Sequence, residues 1–423
     1  MEFTGETVDG VLGKTGGSYY NTLRFPRNTF SLIDSLMIKF NNVVVQNITD
    51  YNVVQNILFD IVSNNQDADG RMNCSMLNND PSVKVAGDYR YIGCGPISTT
   101  LVDGTTALDA SDDICKDRAN YYIKNWLGIL QQGNVNIIDT SLVGTIQITI
   151  GFASAAVLAK SYPNATDETT YPSPDYTLSD IKFNMTKINM PSWWYEGMRT
   201  QLMNGTTYSL YFPHYNVFTG QSNPSKSQTT RFTIASDSLD YVLGTFIPSD
   251  YTDTTKLKTF GDSTNNKDKT IDAVISGGKG SSQNQSRYFR RNGDNLLSSQ
   301  WTLGSEKLPQ VPNTLTGCVQ SVVEAFNLHQ SADGGFYKGC TDIEMFSTFF
   351  FADILSLQHV GDTSGIMLVS GLDTRQLPII VEWSTRDVGT TTYSTSSQYW
   401  TPFIIAAETR KCDISAGNSV SIN

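Results

Sequence analysis

Apolar and polar residues change rhythm repeatedly along this chain, and the rhythms predict its elements. Leu36, Ile38 and Phe40 alternate with period two, as a half-buried strand does. Asn41-Asn42 predicts a turn, and Val43-Val44-Val45 a second strand. The chain then enters ITDYNVVQNILFDI, where Val53, Val54, Ile57, Leu58 and Ile61 share one helical face behind a cap at Thr49 or Asp50. In the second half TTYSLYFPHYNVFTG and TTRFTI predict strands. They run into ASDSLDYVLGTF, whose Leu239, Val242, Leu243 and Phe246 predict a matching helix behind Ser236 or Asp237. Aligning Ile48 with Ile234 gives an offset of 234 − 48 = 186, close to half of 423 residues. The pattern predicts two similar β-rich lobes.

Other segments extend the correspondence. Strands are expected near 89–101, 121–130, 145–152 and 178–188 in the first half. In the second they are expected near 345–357, 366–370, 377–383 and 403–407, with a short VSI at the end. TIQITIGF pairs in character with LPIIVEW, and LSDIKFNM with TPFIIAAE, with loops of unequal length between them. A helix is predicted from Pro191 to Asn204-Gly205, with Trp194, Met198 and Leu202 inward and Trp193 and Trp194 anchoring it to the core. Another is predicted over 314–328, with Val319, Val322, Val323 and Phe326 on one side. The Gly- and Thr-rich residues 1–25 read as an N-terminal arm, 26–204 as a first unit with a terminal helix, and 205–423 as a second unit.

Composition narrows the function classes. Charged residues make up 17% of the chain, below the roughly 25% of ordinary globular proteins. Ser, Thr, Asn and Gly supply the polarity, alongside 20 Tyr and 20 Phe, which favours strands and uncharged loops. Net charge is −11, and no basic face of the kind that neutralises phosphates is present, so no direct nucleic-acid contact is expected. The densest basic stretch, RYFRR at 287–291, reads as a strand edge or subunit contact. The 18 uncharged residues 142–159 contain the period-two core Thr145-Ile146-Gln147-Ile148-Thr149-Ile150, a strand rather than a spanning helix, and no transmembrane segment is expected. Six scattered cysteines form no CxxC; with no leader visible after Met1-Glu2-Phe3, synthesis inside a cell with reduced thiols is expected.

Chemical motifs are weak. His214, His329 and His359 stand far apart, with no HxH, HxxxH or HExxH to bind zinc, and His214 between Pro213 and Tyr215 reads as structural. AVISGGKGSS carries Ala273 and Gly280 where a phosphate-cradling loop needs Gly and Ser or Thr. NQDADGRMN imitates a calcium loop at Asn65, Asp67, Asp69 and Gly70 but has Met76 where a chelating Glu belongs. GxSxG is absent, and Asp112, Asp113 and Asp117 read as surface charge. Sequons at Asn47, Asn73, Asn164, Asn184, Asn204 and Asn284 follow from the Asn/Ser/Thr content. No catalytic, cofactor-binding or metal-binding residue is assigned. A two-lobed carbohydrate-binding β-sandwich or a glycoside hydrolase, needing only two facing carboxylates, stays open as the alternative.

In SLIDSLMIKFNNVVVQNITDYNVVQNIL, YTLSDIKFNMTKINMP, FTIASDSLDYVLGTF and SGLDTRQLPIIVEW the chain resembles the double jelly-roll major capsid proteins of Polinton-like viruses and virophages. The resemblance implies an all-β fold of two tandem eight-stranded jelly-roll (β-sandwich) domains with a few short helices. It implies a non-enzymatic structural subunit of a DNA virus, forming homotrimeric pseudo-hexameric capsomers in an icosahedral shell. Its partners would be itself, neighbouring capsomers, and penton and minor capsid proteins. Its place would be the virion capsid, after synthesis in a host cell. The polar loops 64–88, 103–119, 160–176 and 248–286 would then form the outer crown.

Overall fold

A computed structural model describes residues 1–8, 22–24, 29–62, 118–123, 126–131, 138–161, 175–221, 227–248, 251–252, 287–289, 291, 293, 296–326, 346, 351–357, 371–385, 400–417 and 419–422. The first half holds β1 (Glu2–Val8), β2 (Thr22–Arg24), β3 (Ile33–Phe40), β4 (Val43–Ile48) and α1 (Tyr51–Val62). β5 (Arg118–Tyr122), α2 (Thr140–Val143), β6 (Ile146–Phe152), β7 (Ala159–Ser161), β8 (Asp175–Lys182) and α3 (Ser192–Met203) follow. The second half holds β9 (Tyr208–Thr219), β10 (Ser227–Thr233), β11 (Leu239–Pro248), β12 (Leu296–Leu303), β13 (Glu306–Asn313) and α4 (Leu315–Ala325). It ends with β14 (Asp353–Ser356), β15 (Pro378–Thr385), β16 (Trp400–Ser415) and β17 (Ser419–Ile422).

The second lobe has a jelly-roll topology. With its strands β9 to β16 counted one to eight, one sheet runs β9-β16-β11-β14, or 1-8-3-6, and the other runs β10-β15-β12-β13, or 2-7-4-5. Consecutive strands thus go to opposite sheets, except for the hairpin β12-β13 within one sheet, and the first strand lies beside the last, as two interleaved Greek keys require. The longest ladder joins β16 to β9, from Phe403↔Thr219 to Ile414↔Tyr208. β17 folds back on the end of β16. Between the sheets Trp301 and Trp383 meet edge to face with centroids 6.2 Å apart, and Phe246 packs on Trp383 at 4.9 Å. Gly244 lets β11 approach this group. A Cβ there would stand 2.7 Å from Cζ2 of Trp383.

The first lobe keeps these pairings, with one strand divided in two. Its first strand β1 bonds its last, β8, and β2 bonds β7. β3 forms a hairpin with β4 and pairs with β6 on its other edge. The strand corresponding to β15 is therefore divided into β6 and β7 by a turn at Ala155–Val157. β5 lies along the second edge of β1.

Several expectations are corrected. Residues 239–248 form strand β11, with nine of ten positions buried, so the expected second helix and the 186-residue offset fail. A central strand covered on both faces loses its alternation, and a short apolar run then mimics a helical stripe. The true repeat is the hairpin–helix β3-β4-α1, matched by β12-β13-α4. Their turns correspond at 303 − 40 = 263 and 306 − 43 = 263, and the helix starts at 315 − 51 = 264. Residues 2–8, expected in an arm, form a strand inside a sheet, with Phe3 buried. The 121–130 strand ends at Tyr122 and yields to a single helical turn at Gly128–Leu130. β8 ends at Lys182, short of the expected 188. Within the expected 345–357 strand, the described residues form β14, Asp353–Ser356. The expected strands at 89–101 and 366–370 lie outside the described residues.

Other expectations hold. TIQITIGF and LPIIVEW each pair with the first strand of their lobe's hairpin, through β3–β6 and β12–β15. LSDIKFNM and TPFIIAAE lead or lie in the last strand of each lobe.

Candidate functional site

Described polar side chains converge between the lobes and inside each lobe. His214 on β9 is buried, its Nε2 lies 3.2 Å from the Asn47 carbonyl on β4, and its Nδ1 lies 3.2 Å from Oε1 of Glu408 on β16. A carbonyl can only accept, so Nε2 carries a proton and donates across the lobe boundary. Glu408 also accepts from Asn216 Nδ2 at 2.9 Å and Arg410 Nε at 2.8 Å. Burial would raise the Glu408 carboxyl, but the His214 contact, the Arg410 charge and hydrogen bonds from Ser236 and Asn216 carry it down to about 2. Burial lowers His214, against the pull of Glu408. The arrangement is a joint: it holds β4 of one lobe on β9 of the other.

Beside Asn47 stands Gln46, buried on β4. Its Nε2 donates to the Leu127 carbonyl at 3.3 Å, and its Oε1 accepts from the Ile129 amide at 2.8 Å, which pins the 128–130 turn. Tyr251 of the second lobe donates to Asp50 Oδ1 at 3.4 Å, and burial followed by the charge of Asp34 raises the Asp50 carboxyl.

Inside the second lobe, Asp353 on β14 is wholly buried. It accepts from Trp383 Nε1 at 3.2 Å and from the Cys318 thiol of α4 at 3.7 Å. Burial raises its carboxyl, with the hydrogen bonds opposing. These contacts tie α4, β14 and β15 together. His329, His359, Asp112, Asp113, Asp117 and the two loop motifs lie outside the described residues. Among the described residues no group of three or more His, Cys, Asp or Glu could hold a metal ion, and Cys318 and Cys412 are free and buried. No described helix is long and apolar enough to cross a membrane.

The most unusual surface lies at 181–203, between the last strand of the first lobe and the first of the second. Helix α3 forms as expected, with Pro191 at its N-cap and Asn204 at its C-cap, but only Leu202 is buried. Trp193 is 68% exposed and Trp194 38%, against the expected core anchoring, and their rings meet edge to face at 6.3 Å. Met185 and Met203 are 78% and 70% exposed, and Ile181, Phe183 and Ile188 are exposed too. Sequence reasoning missed this face because a large apolar residue is normally assigned to a core. The available signal was apolar residues in every helical phase of PSWWYEGM, more than one stripe can bury.

No protein-family model matches the chain, and no curated protein matches it in sequence. Solved structures do match its fold. A chain of the Sputnik virophage structure is 12% identical over all of this chain and 81% of its own, with a TM-score of 0.51. The Faustovirus major capsid protein is 9% identical over 98% of this chain and 77% of its own, at 0.52. PBCV-1 VP54, fitted into a reconstruction of the virophage Sputnik, is 10% identical over all of this chain and 88% of its own, at 0.50. Together with the 1-8-3-6 and 2-7-4-5 sheets, these likenesses establish the fold of the chain as the double jelly roll.

Proposed function

We propose that the chain is a viral major capsid protein: a non-enzymatic subunit that assembles as a homotrimer and tiles an icosahedral shell in the virion. The observation that carries this reading is the coupling of two jelly rolls in one chain with a broad apolar surface that the chain does not cover. Two wedge-shaped lobes per copy and three copies per ring place six similar lobes around one axis, the geometry a near-hexagonal lattice needs. The low charge content and the aromatic surplus suit interfaces whose centres exclude charge. The likeness to a capsid protein of Faustovirus agrees with it. The chain divides at about Asn204, where α3 ends, into a first jelly roll and a second. Neighbouring capsomers, pentons and minor coat proteins are its partners in this reading, and its net charge of −11 argues against a direct grip on nucleic acid.

Light scattering on the purified chain, followed by electron microscopy, tests the reading. Trimers with a hexagonal outline are expected. A monomer retained on a glycan column would instead support a carbohydrate-binding role and overturn it.

A further inference from the structure

We propose that residues 181–203 are the face by which one copy of this chain seats against a second copy. The proposal rests on the coat-subunit reading above and adds the surface that does the assembling. Its first ground is area. The exposed apolar side chains of this stretch present on the order of 1,000 Å². Summed over the segment, that is of the size of the roughly 800 Å² each partner contributes to a stable interface.

The second ground is the helix itself. α3 is 12 residues long, carries Gly197 in its interior and buries one side chain. Isolated helices shorter than about 12–15 residues are marginal in water, and an interior glycine weakens them further than alanine does. Packing normally supplies the missing stability, and little of it comes from this copy. A Cβ added at Gly197 would meet nothing within 4 Å, so that side of the helix is open.

The third ground is chemistry. Trp, Tyr, Met and Arg are the residues enriched at interface centres, and Trp193, Trp194, Tyr195, Met203 and Arg199 supply them. Between 180 and 203 the charges are Asp180 and Glu196 against Lys182, Lys187 and Arg199, nearly balanced. An anionic lipid surface selects clusters of four to eight basic residues, roughly. A balanced, aromatic face fits protein. A second copy is the partner because one chain then supplies every face of a closed ring.

The test compares the full-length chain with Trp193→Glu, Trp193→Phe and Met185→Glu by native mass spectrometry across a dilution series. The Glu variants are expected to separate into folded monomers at concentrations at least tenfold above those at which the unmodified trimer separates. Trp193→Phe is expected to recover most of the difference. Backbone amides of 192–203 should exchange slowly in the trimer and fast in the variant monomer. Both Glu variants assembling like the unmodified chain, with 192–203 exchanging alike in all, would overturn the proposal and leave the coat reading standing. Binding to phosphatidylserine vesicles that Trp193→Glu abolishes, with the trimer intact, would reassign the face to lipid. An unmodified chain that stays monomeric at every concentration would instead sink the coat reading.

Discussion

The hairpin–helix unit occurs once in each lobe, and its two copies have different fates. At an offset of 263, Leu36 and Ser299 are both buried, as are Ile38 and Trp301. In the helices, at 264, Val54 matches Cys318 and Leu58 matches Val322, all four buried. The faces turned to each lobe's own core are therefore conserved in position while their chemistry changes. The other faces diverge. α1 is buried nearly all round, including Asn52, Gln55 and Asn56, while α4 buries only Cys318 and Val322. β4 lies against β9 and meets the second lobe through the Asn47 carbonyl, whereas β13 is exposed along most of its length, with Val311 77% exposed. In β13 the register slips between Ser299↔Asn313 and Trp301↔Leu308, and Gln300 holds the extra loop through the Pro309 and Gln310 carbonyls at 3.0 and 3.2 Å. A bulge with prolines keeps a free edge from pairing with other strands. One local design thus serves as an internal joint in the first lobe and as a guarded edge in the second.

The largest expected effect breaks the comparison at its core. Trp301→Ala removes a wholly buried indole and should destabilise by about 3–5 kcal/mol, against about 2–4 kcal/mol for Ile38→Ala at the matching site. Denaturant titration of both variants checks the order. A larger loss at Ile38 would mean that the first core carries more of the stability.

Next is acid. Glu408 is held at about 2 in the folded chain against an ordinary 4.5, so its contribution is present above pH 4.5 and is lost as pH falls towards 2. The linked loss is on the order of 3 kcal/mol. Asp50, on the first lobe's side of the boundary, is raised, so its contribution is present below 3.8 and is lost as pH rises through its folded value. Melting temperatures from pH 7 to 3 should fall less steeply in Glu408→Gln and more steeply in Asp50→Asn. Parallel curves for all three proteins would contradict the opposed signs.

A third variant probes close packing. Gly244→Ala forces a methyl against the buried Trp383 ring and should cost about 1–3 kcal/mol, seen in the melting temperature.

The smallest effect sharpens the helix comparison. Asn52 donates to the Ser31 carbonyl at 3.2 Å and its Oδ1 accepts from the Val53 amide at 2.8 Å. Asn52→Ala should cost about 1–2 kcal/mol, while Thr316→Ala, at the matching exposed site of α4, should stay within about 0.5 kcal/mol. Equal effects would deny the difference in surroundings.

Much of the strand content was legible because alternation survives where one face meets solvent, as in β3 and β6. It failed at β11, which is covered on both faces and shows no period. α3 was placed correctly by its Pro191 and Asn204-Gly205 punctuation, yet its Trp193 and Trp194 were assigned inward, since side-chain type tells hydrophobicity and not which surface answers it. The joint of His214, Glu408 and Asn47 was invisible because its members are up to 361 residues apart, at 408 − 47 = 361, and share no motif.

Local periodicity and turn residues by themselves determined that the chain is β-rich and where the β3-β4 hairpin and α1, α3 and α4 fall. These follow from near-neighbour sterics and from burial on one face, both written in short stretches of residues. Tertiary structure alone decided the 263-residue repeat, the burial of α1 beside the exposure of β13, and the uncovered face at 181–203. Each of these depends on what packs across the boundary from distant parts of the chain, and long-range packing leaves no period in the sequence that makes it.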